Sequence, residues 1–294
     1  MTTSIALTGM GIAHNIVVER EDVEPYQKAI DERGLLCTVV ELDMDFKKNY
    51  ETCDEFGLEK STGPGPARNF AWSHSLRNGH DWHWVMDDNI KGFYRLNKNM
   101  KIPCESPALW RAMEDFCGRY KNVLMAGPNY FFFAPRKMKQ PPFTTNTRIY
   151  SCNLIRNNNP YYWRGRYNED TIISLDMLTD GWCTIQFNAF LQFKLETQLQ
   201  KGGNTGEFYH AEGEVKEGEK YTKDGTYLKS KMIVDVYPNI SEIVHKFGRV
   251  HHHVNYAPFK QNKLERVDNY DEIVEKGINN YGMELINIEE QNED

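Results

Sequence analysis

The feature that most constrains this chain is Trp84-Val-Met-Asp-Asp-Asn-Ile90, an apolar run that ends on two adjacent carboxylates. Adjacent carboxylates repel unless a cation or hydrogen-bond donors hold them. Oxygen ligands of this kind suit Mg²⁺ or Mn²⁺, and a nucleotide diphosphate would complete the octahedron. The competing reading is an acidic turn that caps the next helix, where Asp and Asn are also favoured.

The strand that feeds this pair, residues 83–86, belongs to a longer series. Residues 15–19 look like a buried strand closing on Glu19, a helical pattern covers 23–33, and a second strand covers 36–42. A turn-rich Ser-Thr-Gly-Pro-Gly-Pro loop at 61–66 leads into a helix over 67–79. Alternating strands and helices, with charged residues at strand ends, predict an α/β sheet whose site lies at its carboxyl edge. Further on, the pattern predicts a helix over 106–120, strands over 123–126, 130–134 and 148–155, and a helix over 170–178 with acidic residues at its start. A strand follows over 184–193. Residues 200–226 read as a loop rich in Gly, Lys and Glu, 231–236 as a helix start or short strand, and 239–247 as a helix. With no internal repeat or low-complexity linker, residues 1–267 form one continuous domain and 268–294 an acidic C-terminal helix or tail.

A length of 294 residues suffices for such a domain and its core. Hydrophobic residues at 40% and charged residues at 26% are ordinary for a soluble globular protein. No apolar run approaches a membrane span, and no basic-then-apolar segment opens the chain, so a cytoplasmic protein is expected. The six cysteines are scattered without metal-type spacing, which predicts reduced core thiols. The net charge of −7 is concentrated at one end. From Asp268 onward there are nine acidic residues and one lysine, a net of −8, so the remainder is +1. Charge therefore neither excludes nor favours a nucleic-acid partner.

Three other constellations carry chemistry. In Arg164-Gly-Arg-Tyr-Asn-Glu-Asp-Thr171, the carboxylates of Glu169 and Asp170 stand at a helix start between arginines and aromatics. A carboxylate so placed can act as general base for an acceptor hydroxyl, and a helix cap with surface ion pairs is the alternative. Lys201-Gly-Gly-Asn-Thr205 offers Lys201, Gly202, Gly203 and Asn204 as a phosphate cradle, since glycines let backbone N–H groups approach an anion. A short Gly-Gly-Asn is equally a plain turn. In Phe247-Gly-Arg-Val-His-His-His253, an extended backbone would point His252 away from His251 and His253.

The order Gly65-Pro-Ala-Arg-Asn69, Met86-Asp-Asp-Asn, Asn168-Glu-Asp-Thr and Gly181-Trp-Cys resembles the GT-A family of sugar transferases. More narrowly, the chain looks like the TET-associated glycosyltransferases of phages, through Asp-Asp-Asn-Ile and the segments 150–157, 163–171, 187–191, 201–205 and 247–252. The resemblance spans residues 15–258. It implies a GT-A, Rossmann-like mixed sheet with flanking helices, and a metal-dependent glycosyltransferase working in the host cytoplasm. The implied donor is a nucleotide diphosphate sugar, UDP-linked, and the implied acceptor is DNA carrying a hydroxymethylated pyrimidine of the 5-hydroxymethylcytosine type.

By the same resemblance, Asp87 and Asp88 would hold Mn²⁺ or Mg²⁺ and His252 would return as a further metal ligand. Asn89 stands where a strict Asp-x-Asp has its second Asp. Arg68, with Asn69 beside it, would orient the carboxylates or the diphosphate, Glu19 would lie near the base or ribose, and Asp170 with Glu169 would face the acceptor hydroxyl. Such enzymes open with a strand ending in a Pro-Ser-x-Gly-Arg-like loop. Residues 3–13 resemble the helix that follows it, so the first strand is expected to be missing or rebuilt from residues 1–10. Trp163, Tyr161 and Tyr162 are available to stack on a flipped-out base, or else to pack in the core. Two rivals remain at this point: a transferase acting on a non-DNA acceptor or on a sugar already attached to DNA, and a non-catalytic nucleic-acid-binding relic.

Overall fold

The computed structural model describes residues 1–134, 141–195, 225–246 and 249–273. Its centre is a mixed seven-stranded sheet. The strands are β3 (Trp82–Met86), β4 (Ile90–Asn97), β5 (Met100–Pro103), β6 (Val123–Tyr130), β7 (Phe143–Thr145), β8 (Cys152–Arg156) and β9 (Cys183–Lys194). They lie in the order β3-β8-β6-β9-β4-β5, with β7 paired to β9. β8 is antiparallel to both β3 and β6, β6 is parallel to β9, and β9 is antiparallel to β4. Strands β3, β6 and β9 therefore run one way and β8 and β4 the other. The carboxyl ends of the first three and the amino ends of the other two meet along one edge of the sheet.

Each face of the sheet is covered by helices, because neighbouring strand residues point to opposite sides. On one side α1 (Thr2–Gly9) and α5 (Ala108–Gly118) add Leu7, Met10, Trp110 and Met113 to a core with Leu154 and Ile185. On the other, α4 (Gly65–Arg77) and α6 (Glu169–Thr179) pack Trp72, Ile173 and Met177 against Met125 and Ile155. Helix α6 carries apolar residues on two sides and is buried nearly all round. Its second side, Ile172, Leu175 and Leu178, meets Ile233 of α7 (Gly225–Val236) and Val254. Such a helix has to be buried on both sides, and this one lies between the sheet and α7. Before the sheet, β1 (His14–Val18), α2 (Val23–Arg33) and β2 (Cys37–Glu41) form a βαβ unit whose two strands pair in parallel, and the short α3 (Asp45–Lys48) follows.

Several elements differ from the sequence expectation. The alternative of a first strand rebuilt from residues 1–10 is one, since residues 2–9 are helical, as the resemblance of 3–13 to a helix implied. Residues 239–247, expected as a helix, contain β10 (Ser241–Lys246), which pairs with β11 (Arg249–Val254); cross-strand pairing overrides the local helical pattern there. The chain after Tyr130 turns into a 3₁₀ helix over Phe131–Phe133 rather than continuing as a strand. Residues 231–236 resolve as helix. The β4–β5 hairpin was not foreseen. Its two-residue turn, Lys98-Asn99, has positive φ at both positions, 48° and 62°, which suits the twist of the flanking strands.

All six cysteines are free thiols, with Cys117, Cys152 and Cys183 buried as expected. Among the described residues, no helix is long and apolar enough to cross a membrane. Of the acidic segment 268–294, a single helical turn, α8 (Tyr270–Ile273), is described.

Candidate active site

The converging strand ends set the site. Asp87 follows the last residue of β3, Tyr130 ends β6, Lys194 ends β9, and Ser151 precedes β8. Ser151 adopts a left-handed backbone with φ 59°, costly for a residue with a Cβ and found mostly where the surroundings dictate it. It repays that strain through its contacts. Its carbonyl accepts from the Asp87 amide at 2.7 Å, its amide donates to Asp170 Oδ2 at 3.1 Å, and its hydroxyl meets Tyr130 at 2.7 Å and Lys194 Nζ at 2.9 Å.

The 87–90 turn is braced from two sides. The Thr3 amide donates to the Asp88 carbonyl, and the Thr3 hydroxyl donates to the Asp87 carbonyl and accepts from the Ile90 amide. Asn89 is buried, and its side-chain amide donates to the Leu195 carbonyl while its own carbonyl accepts from the Leu195 amide. The third residue of Asp-Asp-Asn therefore ties the end of β9 to the acidic turn and holds Lys194 against Asp87.

Arg68 is the hub. Helix α4 begins at Gly65, where a Cβ would meet the Tyr50 hydroxyl at 1.7 Å, so only glycine lets Tyr50 cross here and reach the Gly165 carbonyl. One turn on, Arg68 is 4% exposed and its guanidinium lies 4.6 Å from the centre of the Trp163 ring. It donates to Asp87 Oδ1 at 2.6 Å and to Asp170 Oδ1, with Glu169 Oε1 at 3.2 Å. A buried cation needs such partners, and the planar guanidinium reaches three carboxylates that an ammonium could not serve together. Lys194 Nζ holds the other Asp87 oxygen at 2.6 Å.

The three carboxylates differ. Burial alone would raise the Asp87 pKa, but Lys194 and Arg68 hold it down to about 2. Asp170 is saturated, with Arg68 and Asn153 Nδ2 on one oxygen and the Ser151 amide on the other. Glu169 has Arg68 at 3.2 Å but is pushed up to about 7, first by burial and then by the charges of Asp170 and Asp87, against the pull of Arg68. A carboxylate poised near neutrality at the edge of a charge cluster has the ionisation a general base requires.

A family model described as TET-Associated Glycosyltransferase matches residues 1–203, about two thirds of the chain, including every member of this cluster. The chain belongs to the TET-associated glycosyltransferase family. Neither the curated proteins nor the solved structures gave a match. The cluster lies within the matched region, whereas His252 lies beyond it.

The remaining expected residues of this glycosyltransferase are placed as follows. Asn69 sits beside Arg68, but its amide is occupied on both sides by the Trp163 backbone. With Trp72, Ser73 and Leu76 it forms an i, i+3, i+4, i+7 stripe along a cleft of about 470 Å³, whose other walls include Phe46, Tyr50, Tyr161 and Tyr162. Glu19 pairs with Lys47 at 2.7 Å, on the helix that carries Phe46. Lys201, Gly202, Gly203 and Asn204 lie outside the described residues.

Asp88 is exposed and makes no ion pair among the described residues. His252 is on β11, opposite Ile243, and is held well below the ordinary histidine range by burial and by Arg148 and Lys229. Among the described residues no three His, Cys, Asp or Glu side chains gather in a metal-binding group, so Asp87, Asp88 and His252 do not form a ready-made set of ligands. Asp87 is already engaged by two cations. The residues do suit an ion held by Asp88 and completed by a diphosphate, the manner in which Mg²⁺ usually binds.

Trp163 is fully buried under Arg68 and is not available to stack on a base; its ring packs with Trp72 and Ile149. Arg164 and Arg166 do not flank the Glu169–Asp170 pair chemically, since Arg164 bridges Glu51 and Asp176 and Arg166 holds Asp54. Sequence reasoning missed Lys194, Ser151 and Arg148. The last stacks 4.3 Å from the centre of the Tyr150 ring and makes no ion pair among the described residues. A lysine closing a long buried strand was the available signal for Lys194. Ser151 lies within the 150–157 segment that carried the resemblance, but its residue type alone does not mark its role.

Proposed function

We propose that this glycosyltransferase moves a sugar from a nucleotide diphosphate sugar, UDP-linked, to the hydroxymethyl oxygen of a modified pyrimidine in DNA. The observation that carries the mechanism is the Arg68-centred cluster, in which the Glu169 carboxyl is raised toward neutral pH while Arg68 joins it to Asp87 and Asp170. Family membership supports sugar transfer, and the family's association with TET enzymes supports a modified base as acceptor.

In this reading Glu169 accepts the hydroxyl proton as the acceptor oxygen attacks the anomeric carbon. The bond from that carbon to the diphosphate breaks, and the nucleotide diphosphate leaves with the electron pair. Arg148, which has no carboxylate partner among the described residues, is the cation left to meet the phosphates. A divalent ion on Asp88 would neutralise charge on the departing diphosphate. The aromatic-walled cleft beside Asn69 is suited to the donor's nucleoside. The amides of Asn69, Asn157 and Asn159 are spent on backbone and side-chain partners, so its walls offer ring faces more than polar edges.

The test is mass spectrometry of hydroxymethylated DNA incubated with the protein and a panel of nucleotide sugars. A hexose- or pentose-sized mass gain on the modified base is the expected result. Transfer to a protein, to free sugars or only to DNA that is already glycosylated would replace the acceptor assigned here.

A further inference from the structure

The turn at the end of β6 carries an exposed aromatic strip with cations set among the rings. Phe132 and Phe133 are 67% and 59% exposed, at the turn where β6 ends. Phe132 lies 5.2 Å from Phe193, the residue before Lys194, and Phe131 lies 5.1 Å from Phe193 and 4.7 Å from Tyr94. Phe133 packs at 5.1 Å on Tyr130, whose hydroxyl meets Ser151 in the active site. The strip thus meets the catalytic cluster through Phe133 and Tyr130.

The charge of this region is opposite to that of the whole chain. Residues 90–103, which form the β4–β5 hairpin, contain Lys91, Arg95, Lys98 and Lys101 and no acidic residue, in a protein of net charge −7. Lys101 Nζ sits 4.2 Å from the centre of the Phe131 ring and Lys91 Nζ 6.0 Å from that of Phe193. Lys91, Arg95 and Lys98 are exposed. Exposed rings with cations set among them match the chemistry of a single polynucleotide strand, whose bases stack and whose phosphates are neutralised.

We infer that the Phe131–Phe133 turn and the β4–β5 hairpin form the docking platform for the acceptor polynucleotide, holding unpaired bases beside the one that enters the active site. This rests on the acceptor being a nucleic acid, as argued above, and adds where the strand lies. It also requires local strand opening at the site, because rings that stack on bases have nothing to bind on an intact duplex.

The experiment uses the full chain and a labelled, unmodified single-stranded oligodeoxynucleotide, with affinity followed by fluorescence anisotropy over a range of salt. Phe132→Ala combined with Phe133→Ala should weaken binding by about five- to a hundredfold. Lys91→Gln combined with Lys98→Gln should make the plot of log affinity against log salt shallower by about 0.7 per lysine. Nucleotide-sugar hydrolysis and the thermal midpoint should stay at wild-type values in both double variants. If the wild type binds and both variants bind equally well with the same salt slope, the platform is refuted while a nucleic-acid acceptor stands. A wild type that binds no oligonucleotide and modifies no DNA overturns both. Should the phenylalanine variant lose thermal stability while the lysine variant keeps the wild-type slope, the rings are covered by the protein's own chain and the inference fails.

Discussion

The Lys194 ammonium lies 2.6 Å from one oxygen of Asp87 and the Arg68 guanidinium 2.6 Å from the other, so the first aspartate of Asp-Asp-Asn is shared between two cations. That arrangement makes Asp87 an organiser of the cluster. Lys194→Met would leave Asp87 with Arg68 alone in a largely dry setting. Removing one partner of such a pair costs about 2–4 kcal/mol, allowing for the partial exposure of both side chains. Urea denaturation should show this loss, and Asp87→Asn introduced alongside should restore part of it. Strict additivity of the two single losses would mean that the contact carries no coupling.

Glu169 gives the cluster its pH dependence. Its carboxyl is raised from about 4.5 to about 7, so it must lose a proton in the upper range before it can serve as base. Single-turnover transfer should therefore rise as pH increases through about 7 and then level off. Glu169→Gln should lower the plateau by about 10²–10⁴-fold and remove this inflection. The stability trend has the opposite sign. A raised folded-state pKa contributes stability that is present below the unfolded value and lost as pH rises through the folded one. Glu169→Gln should thus gain thermal stability relative to the wild type above pH 7 and show no such gain below pH 4. A flat rate profile between pH 5 and 9 would remove Glu169 from proton transfer.

Much of the scaffold was legible because burial on one strand or helix face leaves a local period. The helix over 23–33, the strand feeding Asp87 and the helix starting near Asp170 all follow their side-chain patterns. The strand at 241–246 was not legible, since its conformation depends on a partner strand several residues further on. The Asp-Asp-Asn and Glu-Asp motifs mark carboxylates but not which cation each one meets. Arg164 and Arg166 are near Asp170 in sequence and bind elsewhere, whereas Arg68, 102 residues away, binds it. Long-range pairing of this kind is a product of the sheet order, which no single motif encodes. Lys194 reaches Asp87 only because β3 and β9 point their carboxyl ends to the same edge.

Asp170 and Glu169 can be separated by what each loses on becoming an amide. Asp170 accepts from Arg68, Asn153 and the Ser151 amide, and an asparagine in its place would turn an N–H group toward at least one donor. Asp170→Asn should therefore lower the free energy of unfolding by about 1–3 kcal/mol and weaken donor and acceptor binding together, as the Arg68 and Ser151 positions relax. Glu169→Gln should spare binding and depress the rate on saturated enzyme. If Asp170→Asn keeps stability and affinity and loses only rate, the base is Asp170.

The proposed metal dependence is tested by the contrast between Asp88 and His252. Asp88 is exposed and makes no ion pair among the described residues, next to a residue whose two oxygens are taken by cations. A divalent ion that keeps several waters needs one or two carboxylates and the donor's phosphates, and Asp88 satisfies that requirement without disturbing Lys194. His252 lies on the extended β11, and the cationic Arg148 and Lys229 near it disfavour a bound cation there. Calorimetric titration of UDP with and without Mn²⁺ should therefore lose its metal-dependent component in Asp88→Ala and retain it in His252→Ala. His251→Ala should behave as the wild type. If His252→Ala abolishes the metal-dependent component as fully as Asp88→Ala does, the two residues share an ion when donor is bound, and β11 must then move toward the 87–89 turn. If neither variant changes it, the ion sits on other residues or on the nucleotide alone.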